Sequence, residues 1–182
     1  MRNLNLENVQ EAGTGEAVKP GGYVCKFTQV TDVEDKEYLL IEYDIAEGEQ
    51  KDYYKKLEES RGFWGLKSYR SYKEKALPMF KRMCSAVTKS NPGFIFDGGK
   101  QNADEKTLVG KLIGLVLGQE EYEKNDGSVG KRLYIAYECE VDKIRKGDFK
   151  VPKLKTLENT STTTIDVNAG IQAGEKEEIP FD

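Results

Sequence analysis

The chain of 182 residues contains no histidine. That zero removes Ser-His-Asp and Cys-His triads, His-ligated zinc and His-based nucleases. Carboxylate–metal chemistry is left as the main enzymatic option. Cysteine is scarce: Cys25, Cys84 and Cys139 are far apart, odd in number and set in apolar contexts. Neither zinc spacing nor a disulfide framework results, so all three read as small buried hydrophobes. Tryptophan occurs once, at Trp64. No apolar run approaches the roughly 20 residues that cross a bilayer, so no membrane partner is expected. The opening residues MRNLNLENVQEAGTGEA have no apolar core of a secretory signal, which predicts a cytoplasmic protein. No motif calls for a cofactor or a resident metal, and a non-enzymatic role is expected.

What is present is charge, unevenly spread. Hydrophobic residues make up 37% and charged residues 33% of the chain, enough for one modest core if the ends stay outside it. The net charge of −4 speaks by itself against a nucleic-acid binder. The average hides a segregation, however. Asp32 to Asp52 holds 9 acidic and 2 basic residues, Lys55 to Arg82 holds 9 basic and 3 acidic, and Lys143 to Lys155 holds 6 basic against Asp148. Charge runs commonly do no more than solvate a face, but two basic blocks in an acidic protein also make local fields that steer ligands.

The hydrophobic period changes along the chain. Residues 1–19 read as a loosely ordered arm, and Pro20-Gly21-Gly22 punctuates the start of structure. YVCKFTQV (23–30) and YLLIEYDIA (38–46) read as strands, and DYYKKL (52–57) as a shorter third. SYKEKALPMFKRMCSAVTKSN (71–91) places Leu77, Phe80, Cys84 and Val87 at helical spacing, with Ser71 and Glu74 in the positions of a capping box. Pro78 is expected to kink that helix or to begin its main part. TLVGKLIGLVLGQEEY (107–122) reads as a fourth strand whose Gly110, Gly114 and Gly118 mark bends or close approach, although a buried helix with a small-residue face fits the same spacing. Asn125-Asp126-Gly127 is a hairpin turn. KRLYIAYECEV (131–141) then alternates as a fifth strand, with Leu133, Ile135, Tyr137, Cys139 and Val141 expected to share the core face. Residues 156–182 are rich in Ser, Thr, Asn and Gly, and read as a disordered acidic tail.

The order strand, strand, strand, helix, strand, strand predicts a mostly-β domain over residues 20–155. The expected fold is a five-stranded OB-fold-like barrel with one helix between its third and fourth strands. A small β-sandwich with an inserted helix and an unrelated α+β sheet are the alternatives.

Several segments carry a resemblance that covers roughly residues 18 to 157. PGGYVCKFTQVTDVEDKEYLLIEYDIAEGE, RGFWGLKSYRSYKEKALPMFKRM, SNPGFIFDGG, GKLIGLVLGQEEYEKNDGSVGKRL and IRKGDFKVPKLK resemble a family of small single-stranded-DNA-binding proteins encoded by phages of Gram-positive bacteria. The resemblance implies an OB-like fold and a role in phage DNA replication or recombination within an infected or lysogenic host. Separately, EKEEIPFD is similar to the acidic tip of bacterial single-strand-binding proteins, whose terminal phenylalanine docks in a partner's pocket. Ile179, Pro180 and Phe181 match that tip, while Asp182 follows it and Lys176 interrupts the acids. Replication or recombination proteins are the partners this tail would imply.

The densest candidate surface is RGFWGLKSYRSYK (61–73), which interleaves four aromatic and four basic residues. Single strands expose base faces for stacking and phosphates for neutralisation. Phe63, Trp64, Tyr69 and Tyr72 are the stacking candidates; Arg61, Lys67, Arg70 and Lys73 are the phosphate candidates. Tyr122, Lys124 and Lys131 around the last hairpin, with Arg132 and Tyr134 on the fifth strand, are expected to extend the groove. The bland alternative for Trp64 is a core plug, and Tyr137 is assigned to the core. The acidic block from Asp32 to Asp52 is expected to lie away from the groove. Barrel edge strands also pair between subunits, so a homodimer is compatible with the pattern. Two rival readings are a protein-interaction module acting through the acidic block and tail, and a metal-dependent nuclease built on Glu49-Gln50-Lys51 or on Glu138, Glu140 and Lys143.

Overall fold

The computed structural model describes residues 17–157. Five strands, β1 (Gly21–Val33), β2 (Tyr38–Ile45), β3 (Lys67–Ser71), β4 (Leu112–Glu123) and β5 (Val129–Cys139), form one antiparallel sheet in the order β3-β2-β1-β4-β5. Among the described residues, three α-helices, α1 (Tyr53–Arg61), α2 (Leu77–Ser90) and α3 (Val141–Arg145), complete it. The architecture is mostly β, and no backbone ladder joins β3 to β5 among the described residues. No helix among them is long and apolar enough to cross a membrane.

β1 organises the sheet because it is long enough to serve two partners. Its first half pairs with β4, from Gly21 opposite Leu117 to Lys26 opposite Leu112, and its second half continues along β2 to Val33 opposite Tyr38. A register shift between Phe27 and Gln29 bends it where the partners change, as an extra residue in one strand does. Alternation then sends Cys25, Phe27 and Val30 inward. Leu39, Ile41, Tyr43 and Ile45 of β2 join them, as do Ile113, Leu115 and Leu117 of β4. Helix α2 closes this core with Phe80, Met83, Cys84 and Val87, the helical stripe expected from the sequence with Met83 added. Leu77, at the head of the stripe, is exposed instead. Pro78 lies in the first turn of α2, where a missing N–H breaks no helical hydrogen bond. The capping box does not form: Ser71 Oγ accepts from Lys73 N at 3.2 Å.

Three expectations are corrected. Residues 52–57 are not a strand but the start of α1. The reason lies in β2, where the buried Asp44 carboxylate accepts from Tyr54 N at 3.0 Å and Lys55 N at 3.2 Å. It therefore caps a helix from a neighbouring element. The third strand lies instead at Lys67–Ser71, inside the aromatic-basic stretch. The fourth strand starts at Leu112, not at residue 107, because Glu105–Leu108 form a 3-10 turn and Gly110 adopts φ +82°.

The fifth strand keeps its alternation only halfway. Val116 pairs with Tyr137 and Leu117 with Ile135, leaving Ala136 without a partner. The bulge reverses parity: Leu133 and Ile135 pack on the core, Glu138 turns inward and is buried, and Tyr137 and Cys139 face outward. Tyr137 is thus not a core residue. Its hydroxyl accepts from Lys150 N at 3.0 Å and donates to Lys150 O at 3.1 Å. Val141 leaves the strand and begins α3. Helix α3 and the strap 146–155 then cover the outer side of β1 and β4. A Cβ on Gly114 would sit 2.7 Å from Ile144 Cγ1, and one on Gly22 would sit 2.6 Å from the Phe149 ring. The strap ends as a parallel bridge to β4, with Lys155 N donating to Gln119 O at 3.0 Å and Glu121 N to Lys155 O at 2.8 Å.

Candidate nucleic-acid interface

The stretch from Arg61 to Lys73 does not present its rings and charges to one place. Arg61 ends α1, where a cation complements the helix C-terminus, and Gly62 turns the chain at φ +65°. Phe63 follows, 60% exposed. Trp64 is half-buried against the core, and its Nε1–H donates to Tyr43 O at 3.0 Å. Its indole is an anchor that starts β3, not a free stacking plate. From there β3 alternates. Ser68 and Arg70 point in, while Lys67 and Tyr69 point out.

Arg70 is therefore not offered to phosphate. Its guanidinium donates from Nε and Nη2 to Glu138 Oε1 on β5, and the two side chains are only 11% and 2% exposed. Beside them the Tyr43 hydroxyl and Ser68 Oγ are 3.0 Å apart, and burial pushes the Tyr43 phenol well above its usual value. A polar row, Tyr43, Ser68, Arg70 and Glu138, thus runs through the interior where β3 and β5 face each other. Each member has a partner, which interior polar groups require.

The outward side of β2 and β3 is different in kind. Alternation that buries Leu39, Ile41 and Tyr43 leaves Tyr38, Leu40 and Glu42 on the opposite face, with Leu40 directly across from Tyr69. Tyr38 and Tyr69 meet edge to face, centroids 5.4 Å apart and planes at 80°. Tyr69 is 51% exposed, and Lys67, two residues along, reaches Glu42 at 2.6 Å. Helix α1, which carries Lys55, Lys56 and Arg61, is anchored at the far end of β2 by the Asp44 carboxylate, and its Tyr54 packs in the core. Tyr38 and Leu40 were not singled out from the sequence. The alternation of Leu39, Ile41, Tyr43 and Ile45 carried the signal, because it consigns their neighbours to the other face.

Tyr72 and Lys73 fall elsewhere. The Tyr72 ring packs edge to face on Phe80, centroids 6.4 Å apart, and its hydroxyl donates to Asp32 at 2.7 Å. That hydrogen bond and the nearby carboxylates push its pKa up to about 12. Lys73 is exposed beside it.

The last hairpin makes a second outward patch. Tyr134 covers Gly118, Arg132 pairs with Glu120 at 2.8 Å, and Tyr122 covers Gly130. Arg132 lies 5.4 Å from the Tyr122 ring centre, and Lys155 Nζ lies 4.0 Å over that of Tyr134. Lys124 and Lys131 are exposed at the hairpin. The strap brings Lys155 to this patch. Sequence reasoning did not connect the third charge block to Tyr134, because the link is the strap's bridge to β4. The two patches are not one groove: α3 and the strap lie between them.

The acidic block does not lie wholly apart. Asp44 is buried under α1; Glu47 pairs with Arg145 and Asp52 with Lys26, each at 2.6 Å, and these partners hold both carboxyls below their ordinary values. Glu34, Asp35 and Glu37, however, form the turn between β1 and β2, adjoining Tyr38. The expectation that the whole block avoids the aromatic face is thus corrected. The carboxylates considered for a nuclease do not converge either. Glu138 points inward to Arg70, while Glu140 pairs with Lys89 at 2.7 Å. Ile179, Pro180, Phe181 and Asp182 lie outside the described residues. No protein-family model matches the chain, and no curated protein matches it.

Proposed function

We propose that the protein binds single-stranded DNA without sequence preference and acts in phage DNA replication or recombination, with no catalytic step of its own. The observation that carries this reading is the outward face of β2 and β3. There Tyr69, half exposed and braced by Tyr38, stands beside Lys67 on the outer face of the sheet near the β1–β2 turn. A rigid, exposed ring on a strand accepts any base face, and adjoining cations follow the backbone. The hairpin patch with the strap's Lys155 offers a second contact region for a longer strand.

The finer fold reading is an OB-fold barrel. Bringing β3 onto β5 turns the order β3-β2-β1-β4-β5 into a five-stranded barrel with α2 between its third and fourth strands, and OB barrels are partly open. Supporting it is the Arg70–Glu138 pair, which links the two edge strands. In such barrels the face of the second and third strands binds the oligonucleotide, the face on which Tyr38 and Tyr69 stand here. The acidic tip, Ile179 to Asp182, is proposed as a contact for replication or recombination proteins, and a homodimer through an edge strand stays compatible with this arrangement.

Anisotropy of a labelled oligo-dT, compared with a duplex of equal length at rising salt, tests the proposal. Binding to the single strand that exceeds binding to the duplex and weakens with salt is expected. Absence of binding at low salt, or preference for the duplex, would remove it.

A further inference from the structure

A groove of about 1200 Å³ opens between α2, the loop that follows it and the far ends of β1 and β2. Its floor is apolar. Leu39, Phe80 and Phe96 are buried there, with Phe80 and Phe96 rings 6.5 Å apart. Its rim carries Leu77 and Ile95, which are 45% and 46% exposed. Two large aliphatic side chains left half in water at the edge of an apolar trough mark a surface made to be covered.

The charges around the groove say by what. Asp32, Glu74, Asp97 and Glu105 line it from four separate segments. Among the described residues none of the four is in an ion pair. Two lysines also line it, Lys81 and Lys89, and Lys89 is taken by Glu140. The groove is therefore net negative in a region where the sequence is locally basic. Carboxylates spread around a rim, not gathered at one point, suit cations spaced along a chain better than a single small ligand. They also disfavour the chain's own acidic C-terminal tip as occupant.

We infer that this groove docks a short apolar segment of a partner protein flanked by lysine or arginine. Its aliphatic side chains lie on Phe80 and Phe96 between Leu77 and Ile95, and its cations meet the four carboxylates. The groove is separate from the Tyr38–Tyr69 face, so the inference does not depend on DNA binding.

The test uses the full chain and two fluorescein-labelled synthetic peptides, Lys-Leu-Leu-Lys-Leu-Leu-Lys and its counterpart with glutamate at every lysine. Anisotropy at low salt is expected to show the basic peptide binding at least about tenfold more tightly than the acidic one. The Leu77→Glu/Ile95→Glu variant separates docking from simple charge attraction. It makes the protein more acidic, yet it is expected to weaken the basic peptide about tenfold or more by spoiling the apolar seat. Should that variant not melt cooperatively, Glu74→Lys/Glu105→Lys replaces it, and there the preference is expected to shift toward the acidic peptide. Equal binding of the two peptides, no binding of either, or basic-peptide affinity unchanged or raised in the Leu77→Glu/Ile95→Glu variant would overturn the inference.

Discussion

Arg70 shows how little a residue's charge says about its role until its neighbours are known. It stands in the most basic stretch of the chain, yet its guanidinium is consumed by Glu138 inside the fold. Removing one partner leaves the other charged and buried, which typically costs about 3–5 kcal/mol, whereas replacing both by apolar groups of similar size is often near neutral. Urea denaturation is thus expected to show Arg70→Met and Glu138→Gln as severely destabilised, and Arg70→Met/Glu138→Leu as much less so. Asp97 makes a second prediction at this scale. Its carboxylate accepts from the backbone N–H of Asn102, Gly99 and Gln101, and the first two of these chiefly hold its pKa below the ordinary carboxyl value. A depressed carboxyl contributes order that is complete above its ordinary value and lost as pH falls through the depressed one. Amide protection at Gly99 and Asn102 is therefore expected to persist to about pH 4 and to collapse below it, and Asp97→Ala is expected to abolish it at every pH.

At the scale of elements, glycine in β4 serves close approach. A Cβ on Gly114 would meet Ile144 Cγ1 at 2.7 Å and the Cys139 carbonyl oxygen at 2.9 Å. The carbonyl belongs to the paired strand and cannot rotate away. Gly114→Ala is thus expected to lose about 1–3 kcal/mol in thermal or chemical unfolding. The elements legible in the sequence are those whose apolar pattern is self-contained: β1, β2, the β4–β5 hairpin and the α2 stripe. Those that were missed depend on distant partners. Helix α1 exists because Asp44 caps it from β2. Strand β3 hides because its inward residues, Ser68 and Arg70, are polar and find Tyr43 and Glu138 only in the folded chain. The face of Tyr137 reverses because of one unpaired residue, Ala136, that alternation alone does not reveal. The candidate site was legible to the same degree. Tyr69 and Lys67 fall on the outward face, while Trp64, Arg70 and Tyr72 turn to structural partners, and Tyr38 comes in through strand alternation.

The whole molecule sorts its charge by surface. The net charge of −4 belongs to the whole chain; within the described residues an aromatic sheet face, a hairpin patch beside Lys155 and an acidic groove beside α2 lie apart from one another. Each surface has its own chemistry, which a single pI conceals. Binding to a single strand is expected to weaken with salt in proportion to the phosphates neutralised. Trp64, already engaged with Tyr43 O, is expected to change its emission little on binding, so an extrinsic label is the better reporter. The most direct measurement is the affinity for labelled oligo-dT of the wild-type chain against Tyr38→Ala/Tyr69→Ala. Base stacking contributes about 1–3 kcal/mol per base, so the double variant is expected to remain folded and to bind about tenfold or more weakly. Equal affinity in the two proteins, or no binding by the wild type, would contradict the assignment of this face to single-stranded DNA.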